Sequence, residues 1–268
     1  MNARRFILAR LRDLQGRLAM RRVLRHASDY PADIARAEWE QSLHAPTAFY
    51  LRAFCYFHRH LPEAVRQHRR YFASKRRGFG EDAFHTMWFL LFREFKPATF
   101  LEIGVYRGQV ISLAALLARH LNFTCEVHGL SPFTSAGDEV SRYRAGLDYL
   151  ADTLRNFDHF HLPRPRLLKA FSTDPVARDY VRSKTWDAIY IDGSHDYPVV
   201  KQDWDLCAQS LRPGGIIVLD DAALFTTYQP PVFASKGHPG PSRLAEEIDP
   251  QAFREILQVG HNRVFQKL

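Results

Sequence analysis

Acidic side chains and a histidine follow two strongly apolar runs of the sequence. The run "WDAIYID" ends on Asp192, His195 comes three residues later, and "GGIIVLDD" ends on Asp220 and Asp221. If these runs are neighbouring parallel strands, their ends meet at one edge of the sheet. Three carboxylates held that close repel each other unless one keeps a proton or a cation lies among them. We therefore predict a Mg²⁺ site of oxygen ligands, the alternative being aspartates that only cap turns and bind backbone groups.

His195 would lie beside that cation. Histidine is a natural general base near neutral pH, and a metal that stabilises an alkoxide would make the same proton easier to remove. We predict His195 as a catalytic general base. The alternative is a loop histidine that only makes hydrogen bonds at the sheet edge.

The stretch "FLEIGVYRG" places an acid, Glu102, before two glycines, Gly104 and Gly108, at the end of another apolar run. Glycines let the backbone turn tightly and approach a ligand closely. The spacing matches neither the dinucleotide fingerprint nor the phosphate loop. The residues alone are as consistent with a structural tight turn as with a binding loop.

These residues need a sheet to position them, and the sequence from Pro97 onward alternates short β-rich runs with helical runs. Such alternation predicts βαβ units and a parallel sheet, hence an α/β fold. The β-rich runs are 98–104, 123–131, 165–172, 186–192 and 214–221; the helical runs are 109–121, 137–157, 174–184 and 197–211. A long Pro- and Gly-rich segment, 222–250, is predicted to be a functional loop, and the tail to form two strands around a Gly-His-Asn turn.

The first 93 residues have a different character. They read as four or five helices, beginning with an amphipathic basic helix whose apolar residues include Ile7, Leu11, Leu14 and Leu18. Residues 1–80 hold 17 Lys and Arg against 6 Asp and Glu, a net +11 within a total of +8, so the rest of the chain carries −3. We predict two domains, a basic helical domain at 1–93 and an α/β domain at 94–268.

Three scattered cysteines without zinc-ligand spacing indicate reduced thiols and a cytoplasmic protein. No apolar run reaches the roughly 18–20 residues that a membrane span needs, and "FILA" near the start is too short for a signal peptide.

Taken together, "FLEIGVYRG", "WDAIYIDGSH" and "SLRPGGIIVLDD" resemble motif I and the fourth and fifth strands of the class I S-adenosylmethionine-dependent methyltransferases. The resemblance covers about residues 97–268 and is closest to metal-dependent small-molecule O-methyltransferases of the catechol, macrolide-sugar and cephalosporin-tailoring types. It implies a Rossmann-like, mostly parallel sheet of seven strands. It also implies S-adenosylmethionine as the cofactor, with Mg²⁺ on Asp192, Asp220 and Asp221.

The resemblance also implies which residues hold the cofactor. Gly104 and Gly108 would lie under the methionine part of the cofactor, with Tyr106 beside it. Glu102 would organise the loop, and Asp192 would also be a cofactor-binding residue. Phe171 and Ser172 would lie at the adenine. Ser131 stands where the family usually has a ribose-binding acid, and a neutral hydrogen bond there is roughly half as strong as a charged one. His195 takes the place of the lysine base of the catechol type.

The predicted function is therefore O-methylation of a hydroxyl on a sugar or another natural product, with a small molecule or glycan as substrate. Two alternatives stay open. Ser131 favours a non-catalytic scaffold of the same fold, and the basic helices of residues 1–93, the helical front, favour a nucleic-acid methyltransferase. No Asn/Asp-Pro-Pro-Tyr-like motif supports the latter. For the basic helices we favour a solvated face or an oligomer contact, such as a homodimer, over peripheral membrane contact, and both over nucleic acid.

Overall fold

The structure is a computed structural model that describes residues 3–74, 77–138, 140–141 and 143–268, with side chains from residue 14 onward. Seven strands form one sheet in the order β3-β2-β1-β4-β5-β7-β6. The first five strands of this order are mutually parallel, and β7 runs antiparallel to both β5 and β6. The strands are β1 Thr99–Ile103, β2 Glu126–Ser131, β3 Arg166–Lys169, β4 Trp186–Ile191, β5 Leu211–Leu219, β6 Phe253–Val259 and β7 Asn262–Lys267.

Ten α-helices accompany the sheet within the described residues. Five precede it: α1 Ala3–Arg25, α2 Gln41–His44, α3 Pro46–Arg59, α4 Glu63–Ala73 and α5 Asp82–Phe95. Five connect the strands: α6 Gln109–His120, α7 Tyr149–His159, α8 Pro175–Arg182, α9 Tyr197–Ser210 and α10 Pro239–Glu246. The predicted α/β class, the strand–helix alternation, the two terminal strands and the helical front are confirmed. None of the described helices is long and apolar enough to cross a membrane.

Two predicted boundaries are wrong. The helical run predicted from residue 137 begins only at Tyr149, because Gly146 has a φ of +77° and Asp138 turns the chain by accepting bonds from the Val140 and Ser141 amides. Asp148 then caps α7 by accepting from the Ala151 amide. The 222–250 segment is not loop throughout, because α10 lies inside it with prolines in its first turn.

The front helices pack directly on one face of the sheet. The Trp88 ring lies edge-on to Tyr190 of β4, with centroids 5.1 Å apart, and Phe92 meets Phe100 of β1 at 5.7 Å. Burying aromatic rings of this size stabilises the contact by a few kcal/mol. The described helices α3, α4 and α5 therefore share a hydrophobic core with the sheet.

The basic character of the front is partly compensated by neighbouring acids. Arg69 pairs with Asp82 at 2.8 Å and Arg52 with Glu38 at 2.9 Å. In α1, Leu18 is about half exposed, at 54%. Leu14 is similarly exposed, whereas the side chains of Ile7 and Leu11 lie outside the described residues.

A buried hydrogen-bond chain joins three helices. His68 Nε2 lies 2.9 Å from Ser112 Oγ, His68 Nδ1 lies 3.2 Å from His85 Nε2, and His85 Nδ1 lies 3.3 Å from the Glu81 carbonyl. Every group is satisfied when Ser112 donates to His68, His68 to His85, and His85 to Glu81, with both rings neutral. Burial lowers the pKa of His68 from 6.5 to about 3 and that of His85 well below 6.5.

This chain predicts a loss of stability in acid. Below the ordinary histidine pKa of about 6.5, unfolding takes up a proton at each ring, so the free energy of unfolding falls by about 1.4 kcal/mol per pH unit per ring. Urea unfolding of the His68→Gln variant should show a pH slope smaller by about that amount between about pH 6.5 and pH 4. The exposed His120→Gln variant serves as the control, and an unchanged slope for His68→Gln would contradict the neutral chain.

Candidate active site

The ends of β1, β4 and β5 bring the predicted acids to one edge of the sheet. The Asp192 amide donates to the Ile103 carbonyl at 2.8 Å, and the Asp220 amide donates to the Ile191 carbonyl at 3.0 Å. Pairing therefore continues one residue beyond each strand. It fixes Asp192 and Asp220 as neighbours, as predicted from their positions after two apolar runs.

The turn after β1 packs against the same edge. Gly104 has a φ of +103°, and a Cβ atom on it would lie 1.8 Å from the Asp192 carbonyl oxygen. Glu102 is buried and accepts a hydrogen bond from the Ile111 amide at 3.1 Å, so it ties the turn to α6. Burial raises the pKa of Glu102 to about 8. Gly108, with a φ of +79°, precedes α6 and packs on Thr153; it is not among the residues that line the two cavities described below.

The two strand-end acids differ in charge preference. Burial, followed by the charge of Asp220, raises the pKa of Asp192 well above its ordinary value. Burial also acts against ionisation of Asp220, but the charge of His261 outweighs it and holds the pKa of Asp220 at about 2. Without a cation, the favoured state is thus a protonated Asp192 beside an ionised Asp220.

His261 is a site residue that the sequence reasoning did not select. Its Nε2 lies 3.3 Å from Asp220 Oδ1 and 3.8 Å from Asp221 Oδ1. Burial opposes its charge, but Asp220 in particular raises the pKa of His261 to about 10. The only sequence signal is the predicted turn between the last two strands. The turn reaches the site because β7 lies next to β5, which brings the β6–β7 hairpin to the carboxyl end of β5.

The helical front also supplies an acid that was not predicted. Glu81, just before α5, accepts a hydrogen bond from the Tyr50 hydroxyl at 2.7 Å and from the Ser235 amide at 3.2 Å. Burial raises the pKa of Glu81, and the charge of His261 opposes that rise.

His195 lies between two carboxylates. Its Nδ1 is 2.7 Å from Asp138 Oδ2, and its Nε2 is 2.9 Å from Asp221 Oδ2. The His195 amide also donates to Asp138 Oδ2 at 2.7 Å. Burial lowers the pKa of His195, but the bonds to Asp221 and Asp138 outweigh it and raise the value to about 9. The structure thus brings His195 to the predicted acids and adds Asp138, which was not among the predicted site residues.

Two adjoining cavities open at this edge. The first, about 250 Å³, is lined by residues after β1, β2, β3 and β4, among them Gly104, Tyr106, Ser131, Phe171, Ser172 and Gly193. The second, about 630 Å³, lies between the sheet edge and the helical front and contains Asp192, Asp220, Asp221 and His195. Its far wall is largely aromatic, with Phe79, Phe84 and Trp88. Tyr106 and Gly104 line both cavities, so the two spaces meet at the turn after β1.

Part of the chain is similar to a known domain family. Residues 101–222 match the family model described as a methyltransferase domain. No curated protein sequence matches the chain significantly.

Among solved structures, the chain is similar to a methyltransferase from Podospora anserina with bound S-adenosylhomocysteine (SAH), with a TM-score of 0.51 and 15% identity over 78% of this chain and 89% of that one. The chain is also similar to an O-methyltransferase from Bacillus cereus in complex with SAH. The TM-score is 0.50, with 14% identity over 78% of this chain and 91% of that one. A third similar structure is a Staphylococcus aureus protein provisionally assigned as a caffeoyl-CoA O-methyltransferase. Its TM-score is 0.53, with 13% identity over 78% of this chain and 94% of that one. At these identities, the structural likeness establishes the fold.

The tight turn after β1 predicts a large stability difference between two glycine variants. Gly104→Ala combines an unfavourable φ with a clash against the Asp192 carbonyl and should cost at least about 3 kcal/mol in the free energy of unfolding. Gly146→Ala also has a positive φ but no atom within 4 Å of the added Cβ, so it should cost about 1 kcal/mol. Urea unfolding compares the two, and equal costs would refute the close approach at Gly104.

Proposed function

We propose that this chain, whose residues 101–222 match a methyltransferase domain, is a class I S-adenosylmethionine-dependent methyltransferase that methylates a hydroxyl oxygen of a small molecule, a sugar or another natural product, with the help of Mg²⁺. The observation that carries this proposal is that Asp192, Asp220, Asp221 and His195 all line the larger cavity, which adjoins the smaller one at Gly104 and Tyr106. O-Methylation is also the activity for which the structurally similar Bacillus cereus protein is named.

The smaller cavity is the proposed cofactor cleft. Its lining joins Gly104 and Tyr106 at one end, Ser131 in the middle, and Phe171 with Ser172 at the other. This order agrees with methionine, ribose and adenine laid along the strand ends. Ser131 would bind the ribose through a neutral hydroxyl.

The donor set at the strand ends fits a hard cation. Asp192 and Asp220 are adjacent carboxyl groups at the strand ends, and the buried Asp220 Oδ1 lies 3.3 Å from His261 Nε2. Together with Asp221, they would offer oxygen ligands of the kind that suits Mg²⁺, beside the His261 imidazole. When bound, the ion would stabilise the alkoxide form of the acceptor.

His195 is the proposed general base. Asp138 is a hydrogen-bond acceptor only, so it holds the proton on Nδ1 and aims Nε2 into the larger cavity. The acceptor hydroxyl would give its proton to Nε2, which requires that Nε2 first lose the proton that it shares with Asp221. S-Adenosylmethionine, held in the smaller cavity, would supply the methyl group to the deprotonated oxygen, so that the products would be a methyl ether and SAH. Proximity and orientation supply much of the rate.

The larger cavity is the proposed acceptor site. Its aromatic wall, contributed by Phe79, Phe84 and Trp88 from the helical front, suits an acceptor with an apolar ring face. The predicted roles of the basic helices, as a solvated face or an oligomer contact, remain predictions.

Removal of the cation should abolish methyl transfer. We expect activity on a panel of phenolic and sugar acceptors to disappear in EDTA and to return with Mg²⁺. Asp221→Ala should lower kcat/KM at least about 100-fold, which is about 2.7 kcal/mol of transition-state stabilisation. Mn²⁺ binding followed by electron paramagnetic resonance gives a readout that needs no acceptor. Asp205→Asn, an exposed partner of Lys201 on α9, is the control. Methyl transfer that is unchanged in EDTA would contradict the proposed role of the cation.

If the smaller cavity is the cofactor cleft, the affinity for SAH should depend on Ser131. We expect SAH to bind to the purified chain in calorimetry, and Ser131→Ala to weaken binding by about fivefold, the loss of one neutral hydrogen bond worth about 1 kcal/mol. The exposed Ser183→Ala variant should bind like the unaltered chain. Equal affinities for all three would remove Ser131 from the ribose site, and no binding at millimolar SAH would refute the cleft itself.

A further inference from the structure

A second group of potential metal ligands lies at the mouth of the larger cavity. His238, which has no role in the proposed reaction, joins His195 and Asp221 there. His195 Nε2 is 2.9 Å and His238 Nε2 is 3.9 Å from Asp221 Oδ2. One donor atom from each of the three residues lies within 4.8 Å of the other two. The two imidazole rings are 4.3 Å apart and face each other edge to face.

The backbone holds His238 at this position. Gly237 has a φ of +101°, and a Cβ atom on it would lie 2.3 Å from the Asp221 carbonyl oxygen. The His238 amide donates to that carbonyl at 2.9 Å, and Ser242 Oγ donates to it at 3.1 Å. On the other side, Gly240 packs against the His195 carbonyl. The segment that leads into α10 is therefore fixed against both of the other ligands, while the His238 side chain remains 37% exposed to the cavity.

A second layer orients His195. Asp138 accepts from His195 Nδ1 at 2.7 Å and has a side chain only 6% exposed. Because Asp138 holds a proton on Nδ1, Nε2 is the nitrogen that would bind an ion, and it would release its own proton to do so, as histidine ligands must. A carboxylate behind a histidine in this way is the usual outer support of metal-binding imidazoles.

From this geometry we propose that His195, His238 and Asp221 form a binding site for a divalent first-row transition metal, distinct from the oxygen-only Mg²⁺ site. Imidazole nitrogens suit Zn²⁺, Co²⁺ and Ni²⁺, whereas Mg²⁺ prefers oxygen ligands. With bonds of about 2.0–2.2 Å, ligand atoms around one such ion lie roughly 3–4 Å apart. The observed 2.9 and 3.9 Å separations need only small side-chain adjustments. The remaining coordination positions face the cavity.

Occupation of this site would inhibit methyl transfer. The ion would take the Nε2 lone pair that the proposed base needs and one oxygen of Asp221, the residue shared with the Mg²⁺ site. Inhibition rests on the proposed function, whereas binding of the ion does not. A chain that transfers methyl groups but binds no Co²⁺ here would refute this site and leave the proposed function intact.

Titration with Co²⁺ tests the site directly. In calorimetry with CoCl₂ and separately with MgCl₂, we expect His238→Gln to weaken Co²⁺ binding at least about tenfold and to leave Mg²⁺ binding within about twofold. The matched control, His120→Gln, removes an exposed histidine at the end of α6 and should bind Co²⁺ like the unaltered chain. Equal Co²⁺ affinity for His238→Gln and the unaltered chain, or an equal loss in His120→Gln, would overturn the proposal.

A measurement on the unaltered chain removes dependence on the variant's folding. Proton NMR of the Co²⁺-loaded protein should show two exchangeable imidazole N–H signals shifted far outside the diamagnetic range, one from each histidine ligand. Absence of both signals would overturn the site. Asp138→Asn should reduce Co²⁺ affinity about tenfold or more through the orientation of His195.

Discussion

The crowding of carboxyl groups between β4 and β5 is the constraint on which the rest of the site depends. Parallel pairing carries Asp192 and Asp220 past the ends of their strands as immediate neighbours, where two negative charges cannot both persist without compensation. Two histidines and one retained proton compensate for that charge. His261 comes from the terminal hairpin and His195 from the loop after β4, while Asp192 favours its protonated form.

Each compensating group is itself held by a distant part of the chain. Asp138, from the loop that replaces the predicted start of α7, orients His195. Glu81, from the front of α5, lies beside His261 and is tied to Tyr50. The helical front is thus joined to the site electrostatically as well as through the shared core. A change of charge at these carboxylates should therefore shift the ionisation of groups in helices that are far away in sequence.

Much of the fold could be predicted because strand and helix signals are local. Runs of seven to nine β-rich residues predicted the first five strands, and Glu102, Gly104, Asp192 and Asp220 were chosen because they lie at or near the ends of such runs. Local patterns failed where a side chain competed with the helix. Asp138 turns the chain after Gly137, so α7 begins at Tyr149, about three helical turns later than its composition suggests.

The sequence by itself determined the sheet, the turn after β1 and the acids that gather at its edge, because strand ends of a parallel sheet fall on one side whatever the details of packing. Only the tertiary structure decided which histidines join them. His261 reaches Asp220 because β7 inserts beside β5, and His238 reaches Asp221 because Gly237 and α10 fold back on the loop. These are contacts between segments remote in sequence, set by strand order and loop packing, and neither leaves a periodic pattern to read.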